Sequence, residues 1–366
     1  MLFGGLAFAF GVATPAWRRA EPVASGADHG VNRWCLRVAR WSVLASIASG
    51  IAWLVAEAAA MSGMPVGEAL NRRTLALVLA TQFGRVWTLR LGLVIALGVL
   101  LFVLGRSTID KQRPRLAIAA LVVAAAYLAT LAWSGHAAAG EGSDRLPQLG
   151  SDVVHLLAAG AWLGALPGLV FVLGSAQPLD ALARTTRRFS ALGVASVSAL
   201  VLSGFVNAWY LVGDVPALFG TEYGRLLLAK LALFAAMVVL AVVNRWYLTP
   251  RLAGDDRPAL DSLRRNAILE TAAGIVVVMI VGALGVTVPA AHQPTLWPFD
   301  HTLSWRPAQQ SGWVGAIVAA AGTLACVAVG VTLEGARRRR PLLWIAGLAG
   351  IMTTAATSAW LLAVPS

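Results

Sequence analysis

The sequence predicts an all-α polytopic membrane protein of about ten transmembrane helices, and three observations carry that prediction. Of the 366 residues, 58% are hydrophobic and only 13% are charged, whereas soluble domains run at about 45–50% and 25%. The apolar residues form long stretches, and the basic residues gather in short runs beside them. Those runs alternate between dense and sparse along the chain, the pattern that membrane insertion imposes on loops.

Lipid offers no partner for an unpaired backbone group, so a hydrocarbon core of about 30 Å is crossed by roughly 20 apolar residues in helical form. Ten segments meet or approach that length, at approximately 2–16, 40–61, 86–104, 116–135, 152–174, 190–212, 226–247, 266–288, 313–334 and 341–364. The first holds only about 15 apolar residues, near 22 Å of helix, and lacks the basic start of a signal peptide. It reads as a helix whose beginning is missing, with the natural chain expected to start upstream of Met1.

Orientation follows from the loops. Those at 17–40, 105–115, 175–189, 248–265 and 335–340 hold 20 Lys and Arg, and the four loops between them hold 6. This asymmetry places Arg264, Arg265 and the run Arg337–Arg340 in the cytoplasm and both termini outside. The formal charge of +12 is then a matter of topology, and no nucleic-acid partner is expected. Twelve of the fourteen tryptophans, all but Trp53 and Trp162, lie near a segment end, as an interfacial belt requires. Cys35 and Cys326 make neither a CxxC site nor a disulfide framework.

The chain also repeats itself. Gly5 to Pro15 (GLAFAFGVATP) matches Gly168 to Pro178 (GLVFVLGSAQP) at six of eleven positions, and Thr81 to Leu93 (TQFGRVWTLRLGL) echoes Thr221 to Leu233 (TEYGRLLLAKLAL) in the same order. Segments one to four and five to eight therefore read as two copies of a four-helix unit in the same orientation. The expected division is a first unit at 1–135, a second at 136–291, and an outer loop with two further helices at 292–366.

Four of the five histidines fall on or near the outer face: His136 in the run SGHAAAG, His155 one turn inside segment five, His292 after segment eight, and His301. Imidazole is the commonest protein ligand for transition metals, and histidines from different helices can meet. Near the same depth, Glu57, Met61 and Met64 are spaced i, i+4 and i+7, which puts a carboxylate and two thioethers on one helical stripe. Thioether with imidazole favours Cu(I); carboxylate with imidazole also suits Cu(II). The bland alternatives are polar residues at a wet interface and methionines that fill space.

Within the spans, Lys230 lies near one end and is expected to snorkel, and Glu270 is expected to pair with Arg265 or another cytoplasmic arginine. Asn207 and Asn244 either line a polar path or hydrogen-bond neighbouring helices. There is no phosphate-binding loop, phosphorylation motif or HExxH helix, so an ATP-driven pump is excluded within this chain and no enzymatic activity is expected.

The stretch from Ser134 to Ala291 resembles the copper resistance D (CopD) family. SGHAAAG is followed by DVVHLLAAGAWLGAL, RFSALG, SGFVNAWYLVG, GTEYGRLLLAK, NRWYLTPRL and LRRNAILE in order, and VPAAHQPTLWPF closes the series. The resemblance implies a bacterial inner-membrane protein that takes up copper, often alongside a CopC-like copper-binding protein. It also implies that His136 and His155 are the best ligand candidates; Met61, Met64, His292 and Glu57 are possible additional donors on the reading of spacing and depth above, not on the resemblance. Two other readings stay open: a haem protein with bis-histidine ligation, and a non-transporting scaffold that docks a copper chaperone.

Overall fold

The computed structural model describes residues 1–14, 25–106, 113–134, 145–254, 256–293, 301–304, parts of 308–328, and 341–365. They form an all-α polytopic membrane protein with one minor strand pair. The helices, in order, are α1 (Leu2–Ala7), α2 (Ser25–Ser62), α3 (Arg72–Ala80), α4 (Gln82–Arg106), α5 (Arg113–Ala129) and α6 (Arg145–Leu173). They continue with α7 (Leu179–Leu211), α8 (Val215–Gly220), α9 (Glu222–Val243), α10 (Arg257–Val286) and α11 (Pro341–Leu362). Among the described residues, seven helical stretches are long and apolar enough to cross a membrane, and they stand on predicted segments two to eight. Shorter apolar helices at Leu2–Ala13, Gly312–Gly322 and Ile345–Ala359 stand at the other three.

Two compact units emerge, Met1–Asn207 with Ala232–Met279, and Ala208–Leu231 with Ile280–Ser366. In the first, α1 lies against α6 along a stripe of glycines. A Cβ on Gly4 would collide with the Gly160 carbonyl oxygen, one on Gly164 would come within 2.9 Å of the Gly4 Cα, and one on Gly168 would enter the Phe8 ring. Without a hydrophobic drive between helices in lipid, such close approach of backbones is what dispersion needs. The core beside this contact gathers Phe8, Trp162, Leu166, Leu182, Met237 and Leu263. Trp162 is buried edge-on to Phe234, centroids 6.1 Å apart, which is why it stands outside the interfacial belt.

The echo between Thr81–Leu93 and Thr221–Leu233 has a local structural cause. In the first copy the Asn71 side chain caps α3 by accepting from the Thr74 amide at 2.9 Å, and the Thr81 hydroxyl donates to the Val78 carbonyl at 2.6 Å. The Gly84 amide then donates back to Thr81 Oγ1 at 3.2 Å to start α4. In the second, Asp214 caps α8 from the Ala217 amide at 3.0 Å, Thr221 donates to the Ala217 carbonyl at 2.6 Å, and the Gly224 amide returns to Thr221 Oγ1 at 2.9 Å. A Cβ at Gly84 or Gly224 would strike the preceding short helix. Thr and Gly three apart are thus the means of folding a short helix back against the start of a long one.

A second local device is a π-turn before a Thr-Pro step. The helix widens over Phe8–Ala13 and over Asn244–Leu248, and the following Thr14 and Thr249 hydroxyls donate to the carbonyls of Ala9 at 2.7 Å and Asn244 at 2.6 Å. Proline supplies no amide to the helix ladder, so carbonyls are freed and the threonine hydroxyl takes one of them.

In the second unit, Val212, Ala217, Tyr223, Leu284 and Ala290 form the core. Strand β1 (His301–Leu303) pairs antiparallel with β2 (Ala363–Pro365), with His301 opposite Pro365.

Candidate metal site

α6 and α7 are joined by five residues and run antiparallel, so the start of α6 lies beside the end of α7. Three polar rungs cross between them. Ser151 Oγ donates to the Ser203 carbonyl at 3.0 Å, His155 Nδ1 lies 2.9 Å from Ser203 Oγ, and Asn207 Nδ2 donates to Asp152 Oδ1 at 3.4 Å. Ser151, Asp152 and His155 fall within about one turn of α6, and Ser203 and Asn207 are four apart on α7, so each set shares one helix face.

Ser203 fixes the imidazole. Its hydroxyl donates to the Ala199 carbonyl at 2.6 Å, so its single proton is committed and its oxygen accepts from His155 Nδ1–H. In that tautomer the neutral ring carries its lone pair on Nε2. One turn further along α7, Asn207 Oδ1 is buried and has no hydrogen-bond partner among the described residues. Buried amide oxygens are nearly always paired, so an orphan beside a carboxylate marks a place for a donor or a cation. The side chains gathered here are a histidine, an aspartate and an asparagine, of which the Asn207 Oδ1 is the atom without a partner among the described residues.

The remaining expected ligands are placed as follows. His136 lies outside the described residues. Glu57 is half-buried on α2, and Met61 is exposed near its end. Met64 is not on that helix: α2 stops at Ser62, and Gly63 turns the chain with φ +66° ahead of Pro65, so the i+7 stripe ends at Met61. Glycine alone adopts that backbone without strain, and proline cannot extend a helix, which is what periodicity alone overlooked. His292 is exposed in the turn Ala290–His292 of the second unit. Among the described residues, no three of His, Cys, Asp and Glu gather in one place.

Asp152 and Ser203 escape a reading that looks for metal-ligand residue types one segment at a time. The signal that does find them is the pairing of S-D-x-x-H at the start of one span with S-x-x-x-N at the end of the next. Deeper in the bundle, Glu270 does not pair with Arg265; Asn244 Nδ2 donates to its Oε1 at 2.7 Å, and Asn266 Nδ2 donates to Asn244 Oδ1 at 2.7 Å. Asn244 and Asn207 both hydrogen-bond a neighbouring helix.

Residues 1–146 match the family described as Copper resistance protein D-like, N-terminal domain, and residues 183–284 match Copper resistance protein D. Over 228 residues, 58% of this chain and 71% of the relative, the sequence is 33% identical to Copper resistance protein D of Pseudomonas syringae pv. tomato. The chain belongs to the copper resistance protein D family. It is also 34% identical over 217 residues to Inner membrane protein YebZ of Escherichia coli (strain K12), covering 58% of this chain and 71% of YebZ. Copper transport protein CutJ of Bacillus subtilis (strain 168) shares 32% identity over 174 residues, 47% of this chain and 30% of CutJ. No solved structure matches. Within this chain, Ser203 and Asn207 fall inside the 183–284 match, and Asp152 and His155 lie between the two matched ranges.

Proposed function

We propose that the protein takes up copper across the bacterial cytoplasmic membrane, receiving it at the end of α6 and α7 that the basic-loop asymmetry places outside. The observation that carries this reading is the buried, unpartnered Asn207 Oδ1 beside Asp152, one turn from an imidazole whose Nδ1 is held by Ser203. His155 supplies nitrogen, and Asp152 and Asn207 supply oxygen, a set suited to Cu(II). His136, Met61, Met64 and Glu57 are further donors in this reading; the thioethers would serve Cu(I). In this reading copper is cargo that is bound and released, and the protein is a carrier rather than an enzyme. A CopC-like copper-binding protein is the fitting source on the outer side. Support comes from the family and from relatives named for copper resistance and copper transport.

The test is metal analysis of the purified protein together with copper uptake in proteoliposomes. Bound copper and uptake, both lost in His155→Ala while expression is kept, are expected. Copper bound without flux would favour a docking scaffold. A Soret band with no copper would overturn the reading in favour of haem. Wild-type affinity in the His136→Ala, His155→Ala double variant would remove the site.

A further inference from the structure

Glu270, only 2% exposed, is the buried residue of charged type in the first unit among the described residues, and it stands where the apolar run of α10 begins. Its Oε1 accepts from Asn244 Nδ2 at 2.7 Å, and Asn244 is in turn held by Asn266, which sits one turn before Glu270 on α10. Asn244 opens the π-turn, where Thr249 Oγ1 bonds its carbonyl at 2.6 Å. The carboxyl thus has neutral amide support on one oxygen and, among the described residues, no ion pair of its own.

We propose that Glu270, with Asn244 and Asn266, is a proton-exchange site on the cytoplasmic side of the bundle, loaded and unloaded as copper is carried; this rests on the uptake reading above. A sealed carboxylate needs a compensating positive charge, since burial in apolar surroundings penalises an ion that nothing pairs. Arginine does not provide it. On α10, Arg264 and Arg265 are exposed, as is Asp261. On the segment that follows Asn244, Arg245 is exposed with its guanidinium on the Ser190 hydroxyl at 2.7 Å, and Arg251 is exposed. On α7, Arg184 takes Asp180, Arg187 is exposed and Arg188 is half-buried. From α6, the Leu163 side chain packs against α10 at Gly274.

A metal ion fits poorly as the compensating charge. Both polar atoms of the Asn244 side chain are engaged, one by Glu270 and one by Asn266. That leaves too few oxygens for a hard cation, which takes about six, and no soft donor for copper. A proton needs only the carboxyl.

Infrared difference spectra between acid and alkaline buffer, taken on the copper-free full-length protein, test this directly. A protonated-carboxyl C=O band is expected in the wild type, lost in Glu270→Gln and kept at a shifted position in Glu270→Asp. In proteoliposomes, Glu270→Gln should bind copper with wild-type stoichiometry while its uptake no longer responds to a proton gradient. If Glu270→Gln does not fold, Asn244→Ala keeps the carboxyl but removes its donor and should move the same band. A spectrum indifferent to both substitutions would overturn the proposal. A titrating Glu270 band in a protein without copper flux would leave the proton site standing and remove the uptake reading instead.

Discussion

Ser203 Oγ lies 2.9 Å from His155 Nδ1 while donating to the Ala199 carbonyl at 2.6 Å, so a serine buried in α7 engages one imidazole nitrogen of the preceding helix α6. The bond from Ser151 to the Ser203 carbonyl at 3.0 Å keeps the two helices in that register. Ser203→Ala is therefore expected to leave His155 in place but free to rotate and to change tautomer. Removing such an outer partner of a metal-binding histidine costs roughly 10–100-fold in affinity. Competition against a copper chelator measures it, and unchanged affinity would mean that His155 needs no orientation.

Asn207 separates a ligand from an unsatisfied bystander. An orphan buried oxygen that serves nothing is a liability, and its replacement by an apolar group of similar size is neutral or stabilising. Asn207→Leu removes the orphan oxygen and also the long 3.4 Å bond to Asp152, two opposed effects, so the thermal midpoint in detergent is expected to stay near wild type while copper binding weakens by about tenfold, around 1.4 kcal/mol. Copper affinity equal to wild type would assign Asn207 a purely structural role.

The two corners make a paired prediction about stability. Gly84→Ala and Gly224→Ala each push a methyl group into the short helix that precedes the glycine. Overpacking of that kind costs about 1–3 kcal/mol, so both variants should melt earlier than wild type. Gly5→Ala, whose Cβ meets nothing within 4 Å, should not. Equal melting of all three would show that the corners tolerate side chains there.

Topology is checked by labelling. In a background with Cys35 and Cys326 replaced by serine, a cysteine at Asp144 is expected to react with an impermeant maleimide from outside, and one at Asp256 is not. The reverse pattern would move His155 and its neighbours to the cytoplasm and Glu270 to the outer side.

Much of the fold is legible in one dimension because the bilayer imposes it locally. Each of Arg33–Ser62, Gln82–Arg106, Pro114–Ser134, Arg145–Leu173, Leu179–Leu211, Glu222–Arg251 and Arg257–His292 satisfies its backbone within itself and meets lipid with apolar side chains, so composition alone places it. The repeated Thr-x-x-Gly signature is equally local, being the capping chemistry of a single turn. Thus the sequence by itself determined the class, the spans and the family resemblance.

What only the tertiary structure decided is which polar groups face one another. Periodicity extends a stripe from Glu57 to Met64, but a left-handed Gly63 cuts it at Ser62, and that conformation is a property of the turn. Charge rules pair Glu270 with an arginine, but burial and the π-turn hand it to Asn244 instead. Asp152 and Asn207 are 55 residues apart, and nothing in either segment says that they meet. Their contact follows from helix rotation about its own axis, which is set by packing such as Gly4 against Gly164 and not by the hydrophobicity that makes each helix.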